Sequence, residues 1–233
     1  MAKLKRLRAP KFWKVEKKVK TWVVSPSPGP HKKFESIPLL VLIRDILKIV
    51  ENAAEAKDII YKGELDVDGE LRKDYKYPVG LMDVVAIKKL GKFYRIVPYE
   101  KGLKAIEISE DEAKEKILKI ENKTLLKGKK VQLNLHDGRN MIVEKDIYKS
   151  GDSLLVELPS NKIIKHVKLE PGNTALIVKG KNSGDIVKIK EFIVTRSREP
   201  NKVICEMDDK KLEVIQGYVM IIGEEKPLVK VVE

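Results

Sequence analysis

The hydrophobic positions change period along this chain. Between Leu39 and Val50, apolar residues fall at 39, 42, 43, 46, 47 and 50, the spacing of one helix face. Pro38 suits the first turn of that helix, and Arg44 and Lys48, four apart, would share its opposite side. Asn52-Ala53-Ala54-Glu55 has the form of a capping box and predicts a second helix, with Ala56, Ile59 and Ile60 on its apolar side and a stop at Gly63. The period then drops to two. Glu64 to Val67 and Glu70 to Arg72 flank Asp68-Gly69, a short-hairpin signal, and Asp83 to Ile87 predicts a further strand. Phe93 to Val97 and Leu103 to Ile108 alternate around a turn region from Pro98 to Gly102. Ser109-Glu110-Asp111-Glu112 is a second capping box and predicts a short charged helix to about Ile120. Two hairpins follow: 131–135 with 140–143 around His136-Asp137-Gly138, and 154–158 with 163–169 around Pro159-Ser160-Asn161. The last third predicts strands at 175–178, 185–190, 202–207 and 211–215, punctuated by Gly180 and Gly184.

This pattern predicts a multi-domain α+β chain in four stretches. Residues 1–36 form a basic arm, and 37–92 a small module of two helices and a hairpin. Residues 93–170 form a β-rich middle domain that includes the short helix. Residues 171–233 carry the regular short strands and Gly turns of a small SH3-like β-barrel. The arm leaves through Ser25-Pro26-Ser27-Pro28-Gly29-Pro30, whose three prolines fix φ and favour an extended path.

Composition narrows the chemistry. Hydrophobic residues make up 42% of the chain but aromatics only 6%, which suits several small Ile/Val/Leu cores. A single cysteine, Cys205, excludes an intrachain disulfide and any Cys-based metal cluster. His31, His136 and His166 are scattered, so no structural zinc and no cofactor is expected. The N-terminus lacks the apolar segment of a secretory signal, and the longest apolar stretch, Ile37 to Ile43, is far short of the roughly 20 residues of a membrane span. A soluble, intracellular protein without a membrane partner is expected. There is no Gly-rich phosphate loop, dinucleotide fingerprint or His-Glu-x-x-His helix. Asp66, Asp68 and Glu70 fit no calcium loop and suit a solvated strand edge; Asp137 suits its turn, and Cys205 a strand core. The expectation is therefore no enzyme and no small-molecule substrate.

Charge supplies the positive signal. The formal charge is +13, and residues 1–33 hold eleven Lys or Arg against Glu16 alone, a net +10. The rest is nearly balanced. Such an arm repels itself in water and gains stability against a polyanion. Lys3, Lys5, Arg6, Arg8, Lys11, Lys14, Lys17, Lys18, Lys32 and Lys33 would neutralise phosphates, with His31 beside them, while Trp13 and Trp22 would stack on unpaired bases. The arm is expected to stay disordered until RNA binds, so that a chain lacking residues 1–33 still folds. Arg44, Lys48, Lys57, Lys62, Arg72, Lys73 and Lys76 would line one face of the helical module. In Lys179-Gly180-Lys181-Asn182-Ser183-Gly184 the glycines let backbone N–H groups approach phosphate, with Lys179, Lys181 and Asn182 as contacts.

These residues resemble the ribosomal protein S4e family of archaeal and eukaryotic small subunits. Leu4-Lys5-Arg6-Leu7, Ala9-Pro10, Trp13, Pro26-Ser27-Pro28-Gly29-Pro30-His31-Lys32, Ile37-Pro38-Leu39 and Arg44-Asp45 are similar to the family's opening. Val67-Asp68-Gly69 with Asp74-Tyr75-Lys76-Tyr77-Pro78-Val79-Gly80-Leu81-Met82-Asp83-Val84 resembles an alpha-L RNA-binding motif. Gly172-Asn173, Val178, Gly180, Asn182, Gly184 and Ile186-Val187 are similar in spacing to a KOW motif. The resemblance implies a non-catalytic, cytoplasmic ribosomal component that binds small-subunit ribosomal RNA beside neighbouring ribosomal proteins, with no expectation of homo-oligomers. The alternatives are an RNA-modifying enzyme targeted by the alpha-L module, for which no catalytic loop or cofactor turn is evident, and a transcription or elongation factor docking through the KOW barrel.

Overall fold

A computed structural model describes residues 4–100, 102–128, 130–207 and 210–232. Lys3, one of the candidate phosphate contacts, lies outside the described residues. The chain is mostly β-sheet with few helices and divides into two compact units: residues 1–97 with 101–114 and 232–233, and residues 115–231 with 98–100.

In the first unit β1 (Leu4–Lys5) pairs antiparallel with β2 (Trp22–Val23), and the chain between them makes two 3-10 turns, Arg6–Arg8 and Lys11–Trp13. The arm is therefore packed into the first unit, where a disordered segment was expected. The cause is its apolar minority: Leu4, Ala9, Trp13, Val15 and Val23 are buried in the same core as Ile37, Leu39–Ile43, Ile60, Leu65 and Ile96. Burying a Trp offsets the ordering entropy that charge composition alone would leave unopposed.

β3 (Ile37–Pro38) runs into α1 (Leu39–Val41), so Pro38 is a strand residue rather than part of a first helical turn. α1 continues only as a π-helical turn, Leu42–Ile46, in which Leu47 N–H donates to Leu42 O at 2.9 Å. Lys48 then turns left-handed at φ 53°, so Arg44 and Lys48 do not share a helix face. The run from Leu39 to Ile43 is buried on every side, and β-branched Val41, Ile43, Ile46, Ile49 and Val50 favour helix weakly. The helical spacing of 39–50 was thus a buried run that a full helix does not occupy.

α2 (Ala53–Lys62) forms where expected, with Asn52 in the extended N-cap conformation and Gly63 ending it. β4 (Leu65–Val67) and β5 (Glu70–Leu71) are joined by Asp68-Gly69, both at positive φ (54° and 75°) as a type I′ turn requires. β6 (Pro78–Val79) pairs with β3, and β7 (Val84–Ile87), β8 (Lys92–Tyr99) and β9 (Gly102–Ile108) complete a sheet of order β5-β4-β7-β8-β9. Strands 93–108, expected at the start of the middle domain, are thus hydrogen-bonded into the helical module's sheet. β8 runs on through Pro98 and Tyr99, where a turn was expected.

The expected helix at 110–120 is absent. Its capping box does form, with Ser109 N–H donating to Glu112 Oε2 at 3.1 Å and Glu112 N–H to Ser109 Oγ at 3.3 Å. It closes only one 3-10 turn, Glu112–Lys114, and the chain enters β10 (Glu115–Leu125). β10 is the central strand of a sheet with β11 (Val131–Leu135), β12 (Asn140–Val143), β13 (Ser153–Glu157) and β14 (Lys162–Val167), ordered β12-β11-β10-β13-β14. A central strand buried on both faces loses the period-two signature, which is why Lys116 to Ile120 could pass for helix.

The last sheet contains β15 (Thr174–Ile177), β16 (Ile186–Ile193), β17 (Lys202–Met207), β18 (Lys210–Ile215) and β19 (Val219–Gly223), ordered β18-β17-β16-β15-β19. β19 was not anticipated. Val219 to Ile222 are fully buried without alternation, so periodicity carries no mark of them.

Candidate nucleic-acid interface

The arm's cations divide into structural and exposed sets. Arg6 is buried and ties the arm together: its Nε donates to Trp22 O at 3.2 Å and its Nη1 to Glu16 O at 2.7 Å. Trp13 is fully buried, with Nε1 donating to Ser36 O at 2.8 Å. The His31 ring lies over Gly80 and bonds Asp83 Oδ2 at 2.9 Å, where Asp83 also accepts Gly80 N–H at 2.8 Å. These three were expected to contact RNA; in the structure their side chains are enclosed and hold the arm. Lys17 Nζ donates to Ala9 O at 2.8 Å. Lys5, Arg8, Lys11, Lys14, Lys18, Lys20 and Lys32 remain exposed, as does Trp22, and Lys33 Nζ stands 5.7 Å from the Phe34 ring centroid.

On α2 and the segment after β5, tyrosines organise the cations. Lys57 Nζ lies 4.7 Å and Lys76 Nζ 5.3 Å from the Tyr75 centroid, Arg72 lies 4.7 Å from that of Tyr77, and Tyr61 meets Tyr75 edge-on at 6.3 Å. Cation–π contact leaves each cation charged while limiting its wandering. The Tyr75-Lys76-Tyr77 alternation beside Arg72-Lys73 was the available sequence signal, but the tyrosines were not singled out. Lys62 is paired with Asp58, Arg44 with Asp45 at 2.7 Å, and Arg72 with Glu70; Lys73 and Lys48 are exposed. The acid strip is not a uniformly solvated edge. Asp68 is buried and accepts Val84 N–H at 3.0 Å, and Asp66 pairs with Lys88 at 3.0 Å.

In the second unit the β15–β16 loop presents Lys179 and Lys181 at the surface with Asn182 half-buried. Ser183 faces inward, its Oγ donating to Val178 O at 2.9 Å, while Gly184 N–H donates to Ile177 O at 2.8 Å. Gly184 adopts φ 101°, and a Cβ there would come within 3.0 Å of Pro98 O, so the loop requires glycine. Two lysines missed in sequence bear on this unit. Lys119 Nζ, on β10, donates to Gly217 O at 2.9 Å and Val219 O at 2.6 Å; burial pulls its pKa down to about 8, with Glu121 opposing and Lys179 reinforcing the shift. Lys116, fully buried, lies 3.3 Å from Asp137 Oδ2, which Arg139 Nε approaches to 3.2 Å. Burial alone would raise the Asp137 carboxyl, but Lys116, His136 and Arg139 hold it below the usual carboxylate range. Asp137 is thus a buried counter-ion as well as a turn residue. The Cys205 thiol is buried and pushed up to about 11. Among the described residues no group of three His, Cys, Asp or Glu could hold a metal, and no helix is long and apolar enough to cross a membrane.

Residues 2–34 match the RS4NT domain, and residues 90–163 match Ribosomal family S4e. The small ribosomal subunit protein eS4 of Archaeoglobus fulgidus is 47% identical over 228 residues, covering 97% of this chain and 96% of its own. Its counterpart in Methanocaldococcus jannaschii is 44% identical over 236 residues, with 97% and 96% covered. The crystal structure of the 30S ribosomal protein S4e from Thermoplasma acidophilum is similar at a TM-score of 0.73 and 32% identity, covering 85% of this chain and 99% of that one.

Proposed function

Because the chain belongs to the ribosomal protein S4e family, we propose that it is a structural component of the small ribosomal subunit, acting in translation on the cytoplasmic ribosome by binding folded ribosomal RNA beside neighbouring ribosomal proteins. The observation that carries this reading is similarity to the eS4 proteins along almost the whole chain. Net charge of +13 supports a polyanionic partner. In this proposal Lys5, Arg8, Lys11, Lys14, Lys18 and Lys32 take phosphates. Residues 37–92 act as the alpha-L module, docking on an RNA junction through Lys57, Arg72, Lys73 and Lys76. Residues 171–233 act as the KOW barrel, with Lys179 and Lys181 against the backbone. The role is non-catalytic: close phosphates are neutralised and RNA tertiary geometry is held during assembly.

Co-sedimentation tests the reading. The protein should remain with the small subunit through a high-salt wash, and release into the supernatant at moderate salt would refute it.

A further inference from the structure

Trp13 and Trp22 have opposite fates: Trp13 is sealed in the core, whereas Trp22 is 49% exposed. The strand pairing says what surrounds Trp22. β1 and β2 place Lys5 directly opposite Trp22 and Leu4 opposite Val23. Leu4 and Val23 turn into the core, so alternation sends Lys5 and Trp22 outward on one face, where directly opposed residues have Cβ atoms about 5 Å apart. This two-residue ribbon is not left to flex. Arg6 N–H donates to Thr21 O at 3.0 Å, and the buried guanidinium clasps Trp22 O and Glu16 O. An indole on so fixed a backbone gives up little entropy on docking.

We propose that Trp22 and Lys5 form a stacking site for one unpaired base of RNA, the indole taking the base face and the Lys5 ammonium an adjacent phosphate. This rests on the ribosomal-RNA reading and deepens it by naming the kind of RNA. In an A-form duplex the base faces are already stacked and the major groove is closed to side chains, so an exposed indole reaches a base face only at a loop, bulge or single strand. The surrounding charge selects nucleic acid over a protein or lipid occupant. Lys18 and Lys20 are exposed in the approach to β2, Arg8 is exposed after β1, and Glu16 is the only acid in residues 1–33.

The test uses the full chain, a labelled single-stranded oligoadenylate and an RNA duplex of equal length. Affinity is read by anisotropy and stacking by tryptophan emission, with buried Trp13 as an internal report that each variant is folded. The single strand should quench the exposed tryptophan and the duplex should not. Trp22→Ala should weaken single-strand binding about tenfold while changing duplex binding little, and Trp22→Phe should restore part of the loss. Equal single-strand affinity in the parent and Trp22→Ala, or equal quenching by both RNAs, overturns the stacking site while leaving the ribosomal reading intact. Failure of the parent to bind either RNA overturns both.

Discussion

Replacing Trp13 probes the most consequential departure from the sequence expectation, that the basic arm is part of the first unit's core. A fully buried Trp withdraws roughly 200 Å² from water, worth about 5 kcal/mol at ~25 cal/mol per Å². Truncations of this size in packed cores cost about 3–5 kcal/mol. Trp13→Ala also strips Ser36 O of its Nε1–H donor, adding about 1 kcal/mol. The expected loss is therefore about 5 kcal/mol for Trp13→Ala and about 2 kcal/mol for Trp13→Phe, which keeps an aromatic ring but not the donor. Urea unfolding without RNA, followed by circular dichroism and by Trp22 emission, measures both. Removal of residues 1–33 should leave the first unit unfolded, because Leu4, Ala9, Val15 and Val23 go with Trp13. An arm that folds only on RNA predicts unchanged midpoints, and parental stability in Trp13→Ala or in the truncated chain would refute the packing argument.

Three further outcomes follow from the charged groups. Asp137→Asn removes the carboxylate that stands 3.3 Å from fully buried Lys116 and should cost about 3–5 kcal/mol. Because the folded protein holds the Asp137 carboxyl low, the parent's advantage over Asp137→Asn is complete above about pH 4 and is lost as pH falls through the folded value, which urea midpoints across acid pH would show. Lys119 gives a slope of the same sign in an alkaline window. With a folded pKa of about 8 against 10.5 unfolded, the unfolded chain binds the extra proton between those values, so stability should rise by up to about 3 kcal/mol from pH 8 to 10.5 and be flat below. The rise should vanish in Lys119→Met. For RNA binding, six exposed arm cations at phosphates predict a log–log salt slope of about −4 to −5. Changing Lys11, Lys14 and Lys18 to Gln should reduce its magnitude by about 2, and an unchanged slope would remove the arm from the interface.

Much of the architecture was legible because the local signals had no competitor. The Asp68-Gly69 hairpin, α2 with its Gly63 stop, and both hairpins of the middle sheet formed where turn chemistry and alternation placed them. The errors cluster where burial erases periodicity. Leu39 to Val50 and Lys116 to Ile120 were assigned to helix, and Val219 to Ile222 went unnoticed, because residues buried on both sides show no face. The Ser109–Glu112 box shows that a correct cap does not ensure a helix when the following residues are claimed by a sheet. The site was legible as charge and illegible as geometry. Tyr75 and Tyr77 were not singled out, although they are what position Lys57, Lys76 and Arg72.

By itself the sequence determined the family, the +10 charge of the arm, and those local elements that carry their own turn or stop signal, such as the Asp68-Gly69 hairpin and α2. These follow from residue identity, net charge and short-range backbone preference, which do not depend on distant neighbours. Tertiary structure decided which arm residues are scaffold and which are surface. Trp13 and Trp22, nine residues apart in equally basic surroundings, are alike as letters. Only the core that closes over one, and the strand pairing that turns the other outward beside Lys5, separates them, because burial is set by contacts between residues far apart in the chain.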